Sequence, residues 1–488
     1  MIKENITKKT KIVCTIGPAS QDMDMLKTLI KNGMNVMRMN LSHGDYEEHG
    51  AKLIKARELE KEGIYIPVML DTKGPEIRCH KMKDGKIKIE DGSTVRISMK
   101  EVLGTPEKIS VNYANLYNDA KVGNHIKVDD GKLDMVIIDK DAEHEEIICK
   151  ALNTHYISDK KGVNCTGSGA RTTNKFISEQ DERDLIWGCQ IGVDFVAASF
   201  VRNANDVLDV RKILQAHHHP EIKIISKIEN CQAMDCLDEI IDASDGIMVA
   251  RGDLGVEIPA EEVPIVQRKL IEKCRAKGKP VITATQMLDS MTHSPIPTRA
   301  EVGDVSTAIL ESTDCVMLSG ESANGDYPDK AVETQCKIAR TMEQELDYEK
   351  LAQEAYDTSN KDNNDAIANA IANTAKLIGA KLIVSYTETG RSSRRISKAR
   401  PSCPILSISN KLTTVRQNAL YWGVYSVLIN SAYMPSLIED MEVVAIVKAK
   451  EYGLKPGDYI VVGGATPTGS GRTNFMRIVQ IPEDRDIL

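Results

Sequence analysis

The stretch Gly246-Ile247-Met248-Val249-Ala250-Arg251-Gly252-Asp253-Leu254-Gly255 runs from an apolar segment straight into a polar turn and the start of a short helix. A strand that ends this way presents charged side chains and glycine amides at its C-terminal tip. The same texture recurs along the chain. Residues 12–16, 35–39, 67–70, 193–199, 222–226, 281–285 and 315–318 are further apolar runs, making eight strand candidates with 246–250. Helical patterns separate most of them, at 22–31 (started near Ser20 and stopped by Gly33), 203–216, 261–276 and 299–311. Such alternation predicts a parallel sheet with helices outside, and eight strands fit one (β/α)8 TIM barrel.

Two parts of the chain do not fit that barrel. From Asp71 to about Arg171, glycine turns separate short alternating strands at 86–90, 94–98, 125–128, 135–138 and 146–151. Asp84-Gly85, Asp91-Gly92 and Asp130-Gly131 suit hairpin turns. A structureless loop of that length is disfavoured, so a small β-barrel domain inserted after the third strand is expected. After about Glu343 a helix at 365–378 alternates with strands at 381–385, 404–407, 425–429 and 458–462 and a helix at 391–398. This reads as a C-terminal α/β domain, with the polar stretch 356–364 as its hinge. The predicted division is 1–72 plus 172–343 for the barrel, 73–171 for the insert and 344–488 for the last domain.

The chain of 488 residues is 41% apolar and 27% charged, the balance of a folded globular protein of about three domains. Its net charge of -8 and 4% aromatic content argue against a nucleic-acid binder. Eleven scattered cysteines include no Cys-x-x-Cys pair, which fits free thiols in a reducing compartment. Met1 to Lys11 is polar and no run approaches a membrane span, so a cytoplasmic location without membrane association is expected.

Active sites of TIM barrels lie at the C-terminal strand ends. Those ends carry Arg38, Asn40, Ser42 and His43; Asp71, Thr72, Lys73, Glu76 and Arg78; Lys227 and Glu229; Arg251, Gly252 and Asp253; Thr285; and Ser319, Gly320 and Glu321. Solvation alone does not explain six such clusters in register. Glu229 and Asp253 are hard oxygen donors for a divalent cation, most plausibly magnesium. With Lys227 they suit a phosphorylated anion, although a plain Lys227–Glu229 ion pair uses the same residues. Arg38 and Arg78 can grip phosphate or carboxylate. Asn40, Ser42, Asp71 and Thr72 offer oxygens with one formal charge, suited to a monovalent cation. In the last domain, Thr387-Glu388-Thr389-Gly390-Arg391-Ser392 follows a strand and opens a helix, a pattern that can nest a phosphate; a second glycine-rich loop spans 463–474. His217-His218-His219 and the pair Cys231 and Cys236 read as a solvated helix end and buried thiols.

Several of these runs form long motifs: Cys14 to Ser20, Met37 to Gly44, Asp71 to Arg78, Ile225 to Asn230, Met248 to Pro259, Thr283 to Met287, Pro297 to Glu301 and Met317 to Pro328. In these motifs the sequence resembles the pyruvate kinase family, from about residue 8 to its end. The resemblance implies phosphoryl transfer from phosphoenolpyruvate to ADP. It implies Lys227 as the lysine that stabilises the transferring phosphoryl group and the enolate, with Thr285 beside the substrate and Arg38 on its phosphate. It further implies Glu229 and Asp253 as ligands of Mg2+ (or Mn2+), and Asn40, Ser42, Asp71 and Thr72 as the K+ site. Gly252 and Asp253 would meet the substrate carboxylate, and Asn40, His43, Arg78 and Lys161 the nucleotide. Glu76 matches the potassium-dependent form, the independent form carrying Lys there.

The inserted domain would be a lid. Residues 387–392 would form an effector site, but Tyr433 and Asp440 stand where a Trp and an Arg would grip a second phosphate. An acid there repels phosphate, so a sugar monophosphate or AMP is expected at least as readily as fructose 1,6-bisphosphate. A homotetramer is expected from the family alone. Some bacterial members carry an extra C-terminal domain, which is not expected here. Two rival readings remain from the residues themselves. A magnesium-dependent barrel lyase acting on an enolate needs neither the insert nor the Asn40–Thr72 cation set. A metabolite sensor with a dead barrel would have lost Lys227, Glu229 or Asp253.

Overall fold

The computed structural model describes residues 8–466 and 473–483. Eight parallel strands close into a barrel. In chain order they begin with β1 (Lys11–Thr15), β2 (Val36–Asn40) and β3 (Val68–Asp71). The chain then leaves the barrel for eight short strands: β4 (Lys86–Ile89), β5 (Thr94–Ser98), β6 (Lys108–Ser110), β7 (His125–Val128), β8 (Leu133–Asp141), β9 (Glu146–Ala151), β10 (His155–Ser158) and β11 (Val163–Thr166). It returns with β12 (Phe195–Ala198), β13 (Lys223–Ile228), β14 (Gly246–Ala250), β15 (Val281–Ala284) and β16 (Cys315–Leu318), and β16 pairs with β1 to close the ring.

Side-chain parity explains both the core and the site. Alternate residues of a strand face the same side. Val13, Val36, Met69, Phe195, Ala197, Ile225, Met248, Ile282, Ala284, Cys315 and Met317 form one interior cluster. Two residues further along the same strands, the same phase gives Thr15, Arg38, Asp71, Ser199 and Lys227. The barrel is therefore apolar below and charged at its C-terminal mouth. The other phase packs the helices, and their ends follow ordinary capping chemistry. Asp22 rather than Ser20 caps the first helix, Met23–Asn32, by accepting from the Met25 amide at 3.0 Å. Asn203 caps Ala204–Ala216, and Thr298 with Glu301 forms a capping box on Arg299–Leu310.

The inserted strands form a six-stranded sheet and a two-stranded ribbon around one core that includes Ile87, Val95, Ile126, Met135 and Ile157. Isolated bridges pair Arg78 with Gly162, just before β11, and Cys79 with Val111, just after β6, so residues 78–79 run beside both edge strands of the larger sheet. Of the three aspartate–glycine turns, only Asp130-Gly131 closes a hairpin, between β7 and β8. Asp84-Gly85 lies in the turn before β4, and Asp91-Gly92 separates strands that pair elsewhere, β4 with β10 and β5 with β9.

The last sheet comprises β17 (Leu382–Tyr386), β18 (Ile405–Ser409), β19 (Val424–Leu428), β20 (Tyr459–Gly464) and β21 (Phe475–Gln480). Its order is β19-β18-β17-β20-β21, parallel apart from the antiparallel edge β21. The stretch expected as a hinge is shorter than its polarity suggests. A helix at Tyr348–Asp357, capped by Asp347 and burying Leu351 and Ala355, precedes it, and the next helix starts at Asn363.

This sheet domain sits under the barrel, away from the mouth. Leu420 enters the barrel's own interior cluster. Arg400, almost wholly buried, pairs with Asp314 at 3.0 Å, donates to the carbonyls of Ser397 and Ser312, and stacks on Trp422. Removing one member of such a buried pair strands the other's charge. Arg400→Met is accordingly expected to destabilise the protein by about 3–5 kcal/mol, read as an earlier urea midpoint. Arg171→Met, which breaks an exposed pair with Asp235, is expected to cost under about 1 kcal/mol in the same titration.

Candidate active site

The mouth of the barrel holds a cavity of about 230 Å3 lined by Arg38, Asn40, Ser42, His43, Lys73, Glu76, Arg78, Ser199, Phe200, Lys227, Glu229, Met248, Ala250, Asp253, Thr285 and Met317. Eleven of the residues singled out from sequence therefore converge on one cleft: Arg38, Asn40, Ser42, His43, Lys73, Glu76, Arg78, Lys227, Glu229, Asp253 and Thr285. Asp71 and Thr72 lie just beneath it. Lys161 stands outside its lining, in the inserted domain, with its ammonium 2.8 Å from Asp129 Oδ1.

Asp71 organises the floor. It is 1% exposed. Its Oδ2 accepts from Arg38 Nε at 2.6 Å, and its Oδ1 accepts from Lys227 Nζ at 3.2 Å and Ser199 Oγ at 3.1 Å. Burial opposes its charge, but Arg38 and then Lys227 outweigh that and hold the carboxyl below its ordinary value. Lys227 in turn contacts Ser199 Oγ at 2.8 Å and lies 2.9 Å from Glu229 Oε1. Burial again opposes the charge, and Asp71 followed by Glu229 keeps the ammonium protonated well into the alkaline range. Both readings of Lys227 thus hold at once: it is ion-paired, and it faces the cleft. Arg38 is fixed from a second side by Nη1 donating to Thr15 Oγ1 at 2.7 Å.

Glu229 and Asp253 end neighbouring strands. Burial pushes Glu229 up to about 7, against Lys227, and Asp253 adds in the same direction. Asp253 is raised chiefly by burial as well. Glu229 Oε2 accepts from the Phe200 amide at 2.5 Å. Its Oε1 is buried against the Lys227 ammonium. Two neighbouring carboxylates whose charge burial opposes are the donor chemistry a small divalent cation neutralises. Among the described residues no group of three or more His, Cys, Asp or Glu side chains gathers for a metal. Two carboxylates therefore make a partial shell, with places left for water and substrate oxygens.

At the opposite corner Asn40 pairs with Asp71 across β2 and β3, and Asn40 Oδ1 accepts from the Ser42 amide at 3.1 Å. The Thr72 hydroxyl accepts from the Ser199 amide at 3.2 Å, and the Thr72 carbonyl accepts from Ser199 Oγ at 2.6 Å. The donors are all oxygens, but both carboxylate oxygens of Asp71 also serve Arg38 and Lys227. Glu76 accepts from Arg78 Nη2 at 2.7 Å and Nε at 2.9 Å.

Thr285 and Gln286 leave β15 with positive φ angles of 69° and 53°. Each such non-glycine residue costs about 1–3 kcal/mol. Thr285 Oγ1 accepts from the Gly252 amide at 2.7 Å, at the start of the helix Arg251–Glu257. The inserted domain closes on the far end of that helix: Lys127 Nζ donates to Val256 O at 2.7 Å and Asn164 Nδ2 to Glu257 Oε1 at 2.8 Å.

Sequence reasoning passed over Ser199, named only as the last residue of a strand candidate, and Phe200, whose amide holds Glu229. Parity could have found Ser199, two residues after the interior Ala197. Lys73, singled out only as a charged strand end, also lines the cleft. The tempting distractors stay apart: His219 pairs with Glu221, and all eleven cysteines are free.

In the last domain, Gly390 takes a left-handed φ of 79° before the helix Arg391–Lys398, and an added Cβ there would stand 2.5 Å from Asn418 Oδ1. Thr387 and Ser392 are buried, Ser392 Oγ lying 2.7 Å from Thr473 Oγ1, while Thr389 and Arg391 are exposed. Glu388 lies 3.7 Å from Lys411. Residues 467–472 of the second glycine-rich loop lie outside the described residues. Tyr433 is exposed, and Asp440 lies in the first turn of the helix Ile438–Glu451.

The model of the family "Pyruvate kinase, barrel domain" matches residues 7–332, and that of "Pyruvate kinase, alpha/beta domain" matches 365–479. This chain belongs to the pyruvate kinase family. Among its relatives is the pyruvate kinase of Geobacillus stearothermophilus, 47% identical over 96% of this chain and 80% of that protein. The pyruvate kinase of Bacillus licheniformis is 46% identical over the same shares. A crystal structure of a pyruvate kinase from Cryptosporidium parvum superposes with a TM-score of 0.91 at 37% identity, covering 98% of this chain and 97% of that one. No helix among the described residues is long and apolar enough to cross a membrane.

Two outcomes follow from this geometry. Ser199→Ala removes a partner of both Lys227 and Asp71. A hydrogen bond to a charged group contributes about 1.5–3 kcal/mol, so a fall in kcat of roughly tenfold to a hundredfold is expected, measured at saturating substrate. The second concerns Asp129. Burial opposes its charge, but Lys161 and then His155 hold its carboxyl down to about 2. A depressed pKa stabilises the fold above the unfolded value near 3.8, and that contribution is lost as pH falls toward 2. The gap in melting temperature between the parent and Asp129→Asn should therefore be full at pH 6 and shrink between about pH 4 and pH 2.

Proposed function

We propose that this chain is a glycolytic phosphotransferase that moves the phosphoryl group of phosphoenolpyruvate to ADP, releasing pyruvate and ATP. The observation that carries this is Lys227, a buried permanent cation facing the cleft, held between Asp71, Ser199 and Glu229. Such a group can hold an anion whose charge moves during reaction without the surroundings having to reorganise. Arg38 would bind the substrate phosphate, and the helix start at Gly252 and Asp253 would meet the carboxylate. In the transfer, the bond from phosphorus to the enol oxygen breaks and one to a terminal oxygen of ADP forms, so in-line positioning dominates the rate. Lys227 would then steady the enolate oxygen, and a water held by Thr285 would give its proton to the enolate carbon.

Glu229 and Asp253 would hold Mg2+ (or Mn2+), which when bound supplies neutralisation of phosphoryl and enolate oxygens. Asn40, Ser42, Asp71 and Thr72 would hold K+, consistent with a carboxylate at Glu76. Asn40, His43, Arg78 and Lys161 would face the nucleotide, with the segment 73–171 as a lid that excludes water. Residues 387–392 would take one phosphate of a sugar monophosphate, AMP or fructose 1,6-bisphosphate, the exposed Asp440 disfavouring a second. Assembly as a homotetramer in the cytoplasm completes the proposal.

Pyruvate formation from phosphoenolpyruvate and ADP with magnesium tests it. Turnover is expected with potassium and should fall when sodium replaces it. Lys227→Met should lower kcat by about 10²–10³-fold. No turnover, or turnover indifferent to Lys227→Met, would overturn the proposal. Activation by AMP or ribose 5-phosphate at least as strong as by fructose 1,6-bisphosphate is the expected effector pattern.

A further inference from the structure

Arg251 lies between the last residue of β14 and Gly252, yet its side chain is not part of the cleft lining. The guanidinium crosses instead to the end of the neighbouring strand. Its Nε donates to Ala284 O at 3.2 Å and its Nη2 to Thr285 O at 2.7 Å. Its Nη1 donates to Asp304 Oδ1 at 2.7 Å, on the helix Arg299–Leu310. One planar group thus caps two successive carbonyls and is itself anchored from behind, a geometry that a guanidinium supports and an ammonium does not.

Those carbonyls belong to the segment where the chain turns left-handed at Thr285 and Gln286. A β-branched residue rarely adopts that conformation unless its surroundings impose it. The turn has a consequence at the hydroxyl. Thr285 Oγ1 donates to Ala284 O at 2.6 Å and accepts the Gly252 amide at 2.7 Å. Both the proton and one lone pair are committed, so the direction of the remaining lone pair, toward the cleft, is fixed. Arg251 and Gly252 are consecutive, and between them they hold both the backbone and the hydroxyl of Thr285.

We propose that Arg251 is a positioning residue for Thr285, acting on proton delivery to the enolate and not on substrate binding. The proposal rests on the reading of Thr285 as the group that holds the proton-donating water. In that step a C–H bond forms at the enolate carbon, an O–H bond of the water breaks, and solvent restores the water's proton. Without Arg251 the two carbonyls lose their common donor, the turn relaxes, and the hydroxyl no longer aims the water.

The test uses the full chain with magnesium and potassium. Its readouts are steady-state kcat and KM, together with the exchange of pyruvate methyl protons for solvent deuterium, followed by NMR in the presence of ATP. Arg251→Gln is expected to lower kcat and the exchange rate together, by about a hundredfold, with KM for phosphoenolpyruvate changed less than about twofold. Arg251→Lys, which keeps the charge but cannot span both carbonyls and Asp304, should fall between. Thr285→Ala should be slow in exchange, and the double variant Arg251→Gln/Thr285→Ala no slower than Thr285→Ala alone.

Losses that multiply in the double variant, or a loss confined to KM, overturn the role of Arg251 while leaving Thr285's role standing. A Thr285→Ala variant that exchanges at the parent rate overturns the Thr285 reading and the proposal with it. If Arg251→Gln fails to fold, Asp304→Ala, which removes the anchor's acceptor oxygens, decides. A parallel fall in kcat and exchange supports the proposal, and unchanged exchange overturns it.

Discussion

A single buried carboxylate sets the floor of this molecule's cleft. Asp71 has almost no contact with water, and its two oxygens serve Arg38 on one side and Lys227 with Ser199 on the other. An isolated buried charge is prohibitively costly, and so is each of the two cations alone. Together they satisfy one another and lock both cations in place before any ligand arrives. The cost of holding cations toward an incoming anion is met during folding, and none of it falls at the moment of reaction. Glu229 completes the set against Lys227, and with Asp253 it adds a second buried carboxylate on the side where a metal would be held.

The barrel makes this arrangement cheap to encode. Because side chains alternate along a strand, one phase of residues fills the interior with methionine, valine and alanine and, two positions later, delivers charge to the mouth. The same phase places Leu420 of the last domain against the barrel's lower end. The apolar plug and the charged mouth sit at opposite ends of a single packed column. Substitutions below should act on stability and substitutions above on chemistry, the separation expected of this architecture.

That regularity is why much of the molecule was legible in the sequence. Eight apolar runs gave the barrel strands to within a residue or two, and their polar ends named eleven residues that converge on the cleft. What escaped has physical causes. Ser199 looks like any serine ending a strand, and only its phase relative to Ala197 betrays it. Phe200 acts through its amide, on which side-chain identity has no bearing. The helices Tyr46–Leu59 and Glu179–Ile191 lack a clean apolar stripe, because they bury His49 and Lys52, and Asp181 and Asp184, respectively. The aspartate–glycine turns were over-read as hairpins because turn chemistry specifies a reversal, not which strands pair across it. Lys161 is assigned to a ligand by resemblance and Asp71 to a cation by its oxygens, and nothing local in sequence foretells that each is also held by an internal partner.

The strained end of β15 shows how the fold joins the inserted domain to the barrel. The helix Arg251–Glu257 touches Thr285 through the Gly252 amide and the inserted domain through its last residues, Val256 and Glu257. A short helix is stiff along its axis, so a shift imposed at one end by Lys127 or Asn164 is carried to the Gly252 amide at the other. Thr285 cannot follow such a shift freely, since Arg251 clamps its carbonyl and Asp304 anchors the clamp. The left-handed turn therefore provides a fixed stop against which the position of the inserted domain is registered. Strain is tolerable at that point because the surrounding contacts over-determine it, and it is useful there because a stop that yielded would transmit nothing.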